Sequence, residues 1–512
     1  MIHFGLAAIA YLKRAPSPER KTGTLRLIPM KLTHLIHMLM VFAGCSLTAC
    51  ITVGPDYAQP KLDVPADWNR LDISAEPITD VAKPGDLSQW WQSLNDLLLT
   101  KLVDEALLAN PDLRSAQARL REARARRTVA ASARFPTVTA AGNASSRKSS
   151  EEAGSGDTRE LYNAGLDATW ELDVFGGVRR SIEAAEADLA SSESSLQGTQ
   201  VSLAAEVATN YVEVRSLQIR LGIARDNLAS QSETLQLTEW RAQAGLVSSQ
   251  DVEQARSNRE QTRAQIPSLE TSLAEAEHRL DILLGKTPGT LHPRLAATGS
   301  LPAVPKQIAV GIPADTLRQR PDVRAAERRL AAETARVGVA EAARYPAFKL
   351  SGSIGLEALT LSALDNSGAN TSTLLGGITA PIFDAGRLRS QVEIQDAVRE
   401  QAQVAYEQAV LSGLQDVENA LVALARNRER SEALGIATAS ANNAAELARQ
   451  RYSAGLIDFQ SVLDTERSVR VIEDSFATSR ADGVLALIRL YKALGGGWSA
   501  QTELPSADKD TL

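Results

Sequence analysis

At 512 residues with a formal net charge of −7, the chain offers no cationic field, so nucleic acid is not expected as a partner. Aromatic residues make up only 4%, too few for a bulky globular core and suited to Ala-rich helix packing. Two cysteines and five histidines leave little for nucleophilic or metal chemistry.

Taken in chain order, Lys31 to Cys50 reads as a signal peptide, with a cationic start and an apolar run from Leu35 to Ala43. That run is too short to cross a bilayer as a helix. The residues before Met30 do not look like a leader, and translation is expected to begin at Met30. Leu47-Thr48-Ala49-Cys50 resembles a bacterial lipobox, with Phe42-Ala43-Gly44-Cys45 as a weaker competitor. On this reading residues 1–49 are removed and Cys50, carrying diacylglycerol and palmitate, becomes the first residue. The mature chain then has no thiol, which excludes disulfides and cysteine-based zinc sites. His278 and His292 fit surface or cap roles, and no cofactor or metal is expected.

Residues 50–96, rich in Pro and Asp at first, form an extended N-terminal arm that ends beyond Trp90-Trp91. The first repeat, residues 97–285, opens with a helix from Leu97 to Ala109. Asn110-Pro111 ends it and starts another, from Asp112 to about Arg134. The arginines of that helix, among them Arg114, Arg119, Arg121 and Arg126, read as a solvated, ion-paired face. Two strands are expected at about 136–175. In the second, Tyr162, Ala164, Leu166, Ala168, Trp170 and Leu172 point one way, while Asp167, Glu171 and Asp173 point the other. The alternative is a soluble hairpin with one buried face.

From Arg179 to about Gln243 no proline intervenes. Leu203, Val207, Val214, Leu217, Leu221, Ala224, Leu228 and Leu235 form a heptad seam, interrupted by Asn210 and Gln231. A helix of this length spans about 100 Å. The chain turns at 244–247 and returns from Ser248 to Leu284 through Pro267, where a kink or irregularity is expected. Together with Asp112–Arg134, this shorter return helix nearly matches the outward arm, so end-to-end stacking of the two is expected.

The unit then repeats. Arg241, Gly245 and Leu246 match Arg451, Gly455 and Leu456 at an offset of 210, as Pro111-Asp112 matches Pro321-Asp322. Residues 286–312 are a linker, and residues 313–497 are the second repeat, with its tip at 454–457. Residues 498–512 are a polar tail. Strands are expected at about 348–383, with Pro381 inside the last one. Four strands cannot close a membrane barrel, and open edges are not tolerated in lipid. Copies must therefore pool strands: two give eight, three give twelve.

The chain resembles the TolC/OprM-type outer membrane factors, in the NodT-like lipoprotein branch. The resemblance covers essentially all of Cys50 to Trp498. It rests on Val53-Gly54-Pro55-Asp56-Tyr57, Trp90-Trp91 and Asn110-Pro111-Asp112. It rests equally on Trp170-Glu171-Leu172-Asp173-Val174-Phe175-Gly176 and Ala380-Pro381-Ile382-Phe383-Asp384-Ala385-Gly386. It implies a mainly α fold with transmembrane β: duplicated helical hairpins and four strands per protomer, with a trimeric 12-stranded β-barrel continued by a periplasmic α-barrel. It also implies an outer membrane location, docking to a periplasmic adaptor, and an inner-membrane RND-type pump. Gly245, Leu246, Gly455 and Leu456 match the tips that meet the adaptor. Asp464 matches an aperture acid and Tyr452 a gate tyrosine; Asp458 offers a second acidic ring. Ile457 stands where some members carry a gate arginine.

An enzyme would need convergent acid, base or nucleophile groups, which the sequence does not supply. A lipidated coiled-coil adaptor explains the hairpins but not strands at the ends of helices. Within the channel reading, efflux of small toxic compounds leads and a type I protein secretion channel is the alternative.

Overall fold

The computed structural model describes residues 52–61, 64–69, 79–80, 87–305, 308–309 and 313–498. The expected leader, Cys45, Cys50 and the tail beyond Trp498 lie outside the described residues. Helix α1 (Leu97–Ala109) begins where Asp96 accepts the amides of Leu98 and Leu99. Helix α2 (Pro111–Ser132) places proline in its first turn, where no amide is needed, and Asn110 caps the amide of Leu113. Strands β1 (Thr137–Lys148) and β2 (Thr158–Leu172) follow, then helices α3 (Gly177–Gln243) and α4 (Ser249–Leu283).

The second half runs α5 (Pro313–Gln319), α6 (Pro321–Ala342), β3 (Ala347–Ala358), β4 (Asn370–Thr379), α7 (Arg387–Ser453) and α8 (Phe459–Ala493). The elements α2, β1, α3 and α4 recur as α6, β3, α7 and α8 with both ends shifted by 210. Each long helix has 67 residues, about 100 Å at 1.5 Å per residue. Asp173 starts α3 by accepting the amides of Val178 and Arg179, and Asp384 starts α7 by accepting that of Leu388.

The short helices stack end to end beside the long ones. Asn110 Nδ2 donates to the Leu283 carbonyl at 2.9 Å, joining α4 to α2. Arg320 Nη1 donates to the Ala493 carbonyl at 2.9 Å, joining α8 to α6. Around these junctions lies the main core, which includes Trp91, Leu99, Leu102, Val207, Leu280 and Leu487. The heptad positions Leu203, Val207, Val214, Leu217, Leu221, Ala224 and Leu235 are buried, as expected of a packed seam, while Leu228 is only half-buried. Pro267 lies within α4 without ending it, and Thr271 donates its hydroxyl to the Pro267 carbonyl.

The four strands form one antiparallel sheet in the order β1-β2-β3-β4. Pro381 is a correction: it lies past the end of β4 at Thr379, not inside the strand. The apolar alternation continues to Ile382, but a residue without an amide hydrogen cannot continue the ladder.

Candidate functional site: the sheet, the N-terminal arm and the hairpin tips

The sheet register sorts the side chains. Val138, Ala168, Gly352 and Leu374 stand side by side across all four strands, and Ala140, Leu166 and Ile354 form a neighbouring row. Leu172, Phe348 and Ile378 extend the same face. The other face carries Thr139, Asp167, Ser353 and Thr373, and an opposed pair of charges, Glu171 and Lys349. The apolar face has no cover within one protomer: Ile354, Leu374 and Ile378 are 65%, 79% and 69% exposed. One apolar and one polar face, with edges on β1 and β4 that no strand among the described residues pairs, is the chemistry of a barrel segment awaiting neighbours.

The first described residues are tied to the corner where the sheet meets α3. The Val53 amide donates to the Phe175 carbonyl at 3.1 Å. Arg180, itself buried, donates to the carbonyls of Val53 and Gly54 and to Asp56. Gly54 is required here: at φ +89° a Cβ would lie 2.3 Å from the Gly338 Cα. The arm then passes down α6, where Tyr57 donates to Glu327, and reaches α7, where the Asn69 amide donates to Glu418.

At the far end both hairpins turn through the same cap. Gly245 donates to the Ala242 carbonyl and Leu246 to that of Arg241; Gly455 and Leu456 repeat the pair on Tyr452 and Arg451. Positive φ at both glycines makes these Schellman motifs. They leave Leu246 and Leu456 exposed at the turns. Helix α4 restarts with a capping box of Ser248 and Asp251, and α8 with Asp458 in the position equivalent to Ser248. The hydroxyl and amide of Ser461 hold the Asp458 carboxyl below the usual carboxylate range. Asp458 is thus a helix cap. Asp464 is exposed and accepts from Gln460 at 2.9 Å.

Tyr452 is placed differently from these acids: it is 1% exposed, inside a small cluster with Leu235, Val462, Leu463 and Phe459. Its hydroxyl meets Thr238 of the other hairpin at 3.4 Å, and the Arg241 guanidinium lies 4.5 Å over its ring. Ile457 packs against the same cluster.

Behind Tyr452, polar groups cross between the hairpins. Thr234 donates to Glu466 at 2.6 Å, Asn227 to Glu473 at 3.1 Å, and Arg220 to Asp474 at 2.7 Å. Sequence reasoning singled out Gln231 but missed Glu466 and Arg241. The available signal was an acid set among Val462, Leu463 and Val469. Burial raises the Glu466 carboxyl above its ordinary value. Among the described residues no cluster of metal-ligating side chains occurs, and no helix is long and apolar enough to cross a membrane.

Comparison with known proteins agrees with this geometry. Residues 102–286 and 312–496 each match the outer membrane efflux protein family. The chain is 32% identical to Nodulation protein T of Rhizobium leguminosarum bv. trifolii, over 90% of this chain and 97% of that one. It is also 32% identical to the solvent efflux pump outer membrane protein SrpC of Pseudomonas putida, again over 90% of this chain and 97% of that one. Among solved structures, the outer-membrane channel OprN superposes with a TM-score of 0.82 at 38% identity, over 87% of this chain and 99% of that one. Two matched repeats at the boundaries of the duplicated hairpins, together with full-length relatives, place the chain in the outer membrane efflux protein family.

Proposed function

We propose that three copies of this chain form the outer membrane duct of a tripartite efflux system, receiving small toxic compounds from a periplasmic adaptor and an inner-membrane RND-type pump. The observation that carries this reading is the sheet. Its apolar face is bare and its two edge strands are unpaired, at one end of two 67-residue helices. Three copies close twelve strands into a barrel and continue it as a helical tunnel into the periplasm. The duct conducts and does not catalyse.

The adaptor docks at the turns Gly245-Leu246 and Gly455-Leu456, where apolar side chains stand exposed on rigid caps. Tyr452 acts as a gate by holding the two hairpins together at Thr238, with Asp464 as an acid on the open face and Asp458 as the cap that sets the start of α8. Cys50 carries diacylglycerol and palmitate. What supports this is the lipobox-like run Leu47-Thr48-Ala49-Cys50 shortly before Val53 and Gly54, which are held at the corner below the sheet.

Imaging and native mass of the detergent-extracted protein test the reading. A three-fold particle of three chains is expected; a monomeric or dimeric rod would overturn it. For the tips, bulky residues at both Gly245 and Gly455 should abolish efflux with the trimer intact. Full efflux with normal adaptor crosslinking would remove the tip assignment.

A further inference from the structure

The duplication shows one arginine in two settings. On α4, Arg279 is tied to the long helix beside it: its guanidinium donates to Asn210 at 2.9 Å and pairs with Glu213 at 2.8 Å. Shifted by 210, this arginine is Arg489 of α8, but the positions of Asn210 and Glu213 are Ala420 and Ala423 of α7. The second half keeps the cation and lacks both of its partners. One turn further on, the exposed Ile282 gives way to Lys492, which adds a charge. Among the described residues neither Arg489 nor Lys492 makes an ion pair, and both are exposed.

Where the missing side chains would stand, the surface is hollow. Arg489, Lys492, Ala420 and Ala423 line an open recess of about 560 Å³ that extends to Val201 of α3 and to Arg320 at the junction of α8 and α6. The two acids in it, Asp322 and Asp416, are both engaged by Arg320. What stays uncompensated is positive, on walls with more apolar than polar surface. The recess also faces away from the core. Tyr491 stacks on Trp90 with ring centroids 5.2 Å apart, and Val484, Leu487 and Ile488 are buried in the same cluster. Arg489 and Lys492 lie on the opposite side of α8. A tunnel wall one helix thick has room for the belt of α1 and linker only on its outside, so the bare side lines the passage.

We infer that this recess binds anionic amphiphiles, molecules that carry one carboxylate or sulfonate on an apolar body. The Arg489 fork takes the acid group as Arg279 takes Glu213, and Lys492 supplies a second donor. Ala420, Ala423 and Val201 receive the apolar body, in a volume that suits a small organic ligand. That this wall faces the passage rests on the trimeric reading above; the recess itself is built from one chain. Cations open to water hold an anion weakly, which suits a conduit that must release what it binds.

The test is equilibrium dialysis of the full-length protein in detergent against 2-naphthoate and, in parallel, the neutral 2-naphthamide. The parent should favour naphthoate by about tenfold, the scale of one charge-assisted hydrogen bond. Ala423→Glu gives Arg489 the acid that Arg279 already has, and should remove most of that preference. Arg489→Gln together with Lys492→Gln should do the same. Equal binding of the two probes by the parent, or the full preference surviving in Ala423→Glu, overturns the site. Its placement is read from the reversal potential of planar bilayers under a KCl gradient, where Ala423→Glu should shift selectivity toward potassium. An unchanged potential takes the recess off the conduction path. Native mass separates this site from the reading beneath it. A single-copy mass with acid-dependent binding keeps the site and overturns the trimeric duct, whereas a trimer without such binding overturns the site alone.

Discussion

The body around the helix junctions and the region near the tips share helices α3, α4, α7 and α8 but are held by opposite chemistry. At the junctions Leu99, Leu102, Val207, Leu280, Leu291 and Leu490 are wholly excluded from solvent. Polar groups entering this core are mostly paired: Asn110 with Leu283, and Arg320 with Asp322, Asp416 and the Ala493 carbonyl. The indole N–H groups of Trp90 and Trp91 and one carboxylate oxygen of Glu418 are the exceptions. Near the tips the buried apolar set shrinks to seven residues, and Gln231, Asn258 and Thr262 bury atoms with no partner. Each such atom costs about 1–3 kcal/mol. The body is therefore a fixed frame, and the contact between hairpins at the tips is the part that can come apart.

The largest effect is expected in the frame. Arg320→Ala would remove the charged hydrogen bonds to Asp322 and Asp416 and the link from α8 to α6, costing about 2–4 kcal/mol, held below the loss for a fully buried pair because both acids stay half exposed. Asn110→Ala, at the equivalent junction, removes a cap and one neutral hydrogen bond, costing about 1–2 kcal/mol. Thermal unfolding of the two variants should separate them clearly. Equal losses would mean that the junctions are not distinguished by the buried charge.

At the tips the sign reverses. Gln231→Leu replaces two unpaired buried atoms with a side chain that suits Leu235 and Val462, and should stabilise the hairpin contact by about 1–2 kcal/mol. In planar bilayers this variant should open less readily than the parent. A rise in conductance would show that Gln231 helps to hold the closed arrangement.

Much of this division was legible in the sequence. The 210-residue offset, the heptad seam and the alternation of β2 located every long element, and Gln231 already stood out as a break in the seam. Two things were hidden. Arg320 reads as a poor helix cap, because its partners Asp416 and Ala493 lie 96 and 173 residues away and only the fold brings them together. Tyr452 was linked to a gate by resemblance alone; its burial against Thr238, 214 residues distant, is a property of the packed hairpins. Asp458 and Asp464 look alike as acids, and only the backbone at Ser461 distinguishes the cap from a carboxylate that accepts from the Gln460 side chain on the exposed face.

The subtlest test of the contrast is its response to pH. Burial pushes the Glu466 carboxyl above its ordinary value of 4.5, while the Thr234 hydroxyl and the Arg449 charge pull it down without prevailing. The groups facing it are Thr234 from α3, Asn258 from α4 and Arg449 from α7, and Arg449 is already engaged by Glu446 and Ser230. A carboxyl whose value is raised in the packed state favours that state most when protonated. Its contribution is fully present below about pH 4.5 and is lost as pH rises through the raised value. The tips should therefore hold together more firmly in acid and loosen toward neutrality. Glu466→Gln keeps a group able to accept from Thr234 and removes the titration, so its conductance should depend less on pH than that of the parent. Because Asp464 and other exposed acids titrate in both proteins, the readout is the difference between the two pH profiles. Identical profiles would take Glu466 out of the contact's control and leave the unpaired amide of Gln231 as the main weakness at the tips.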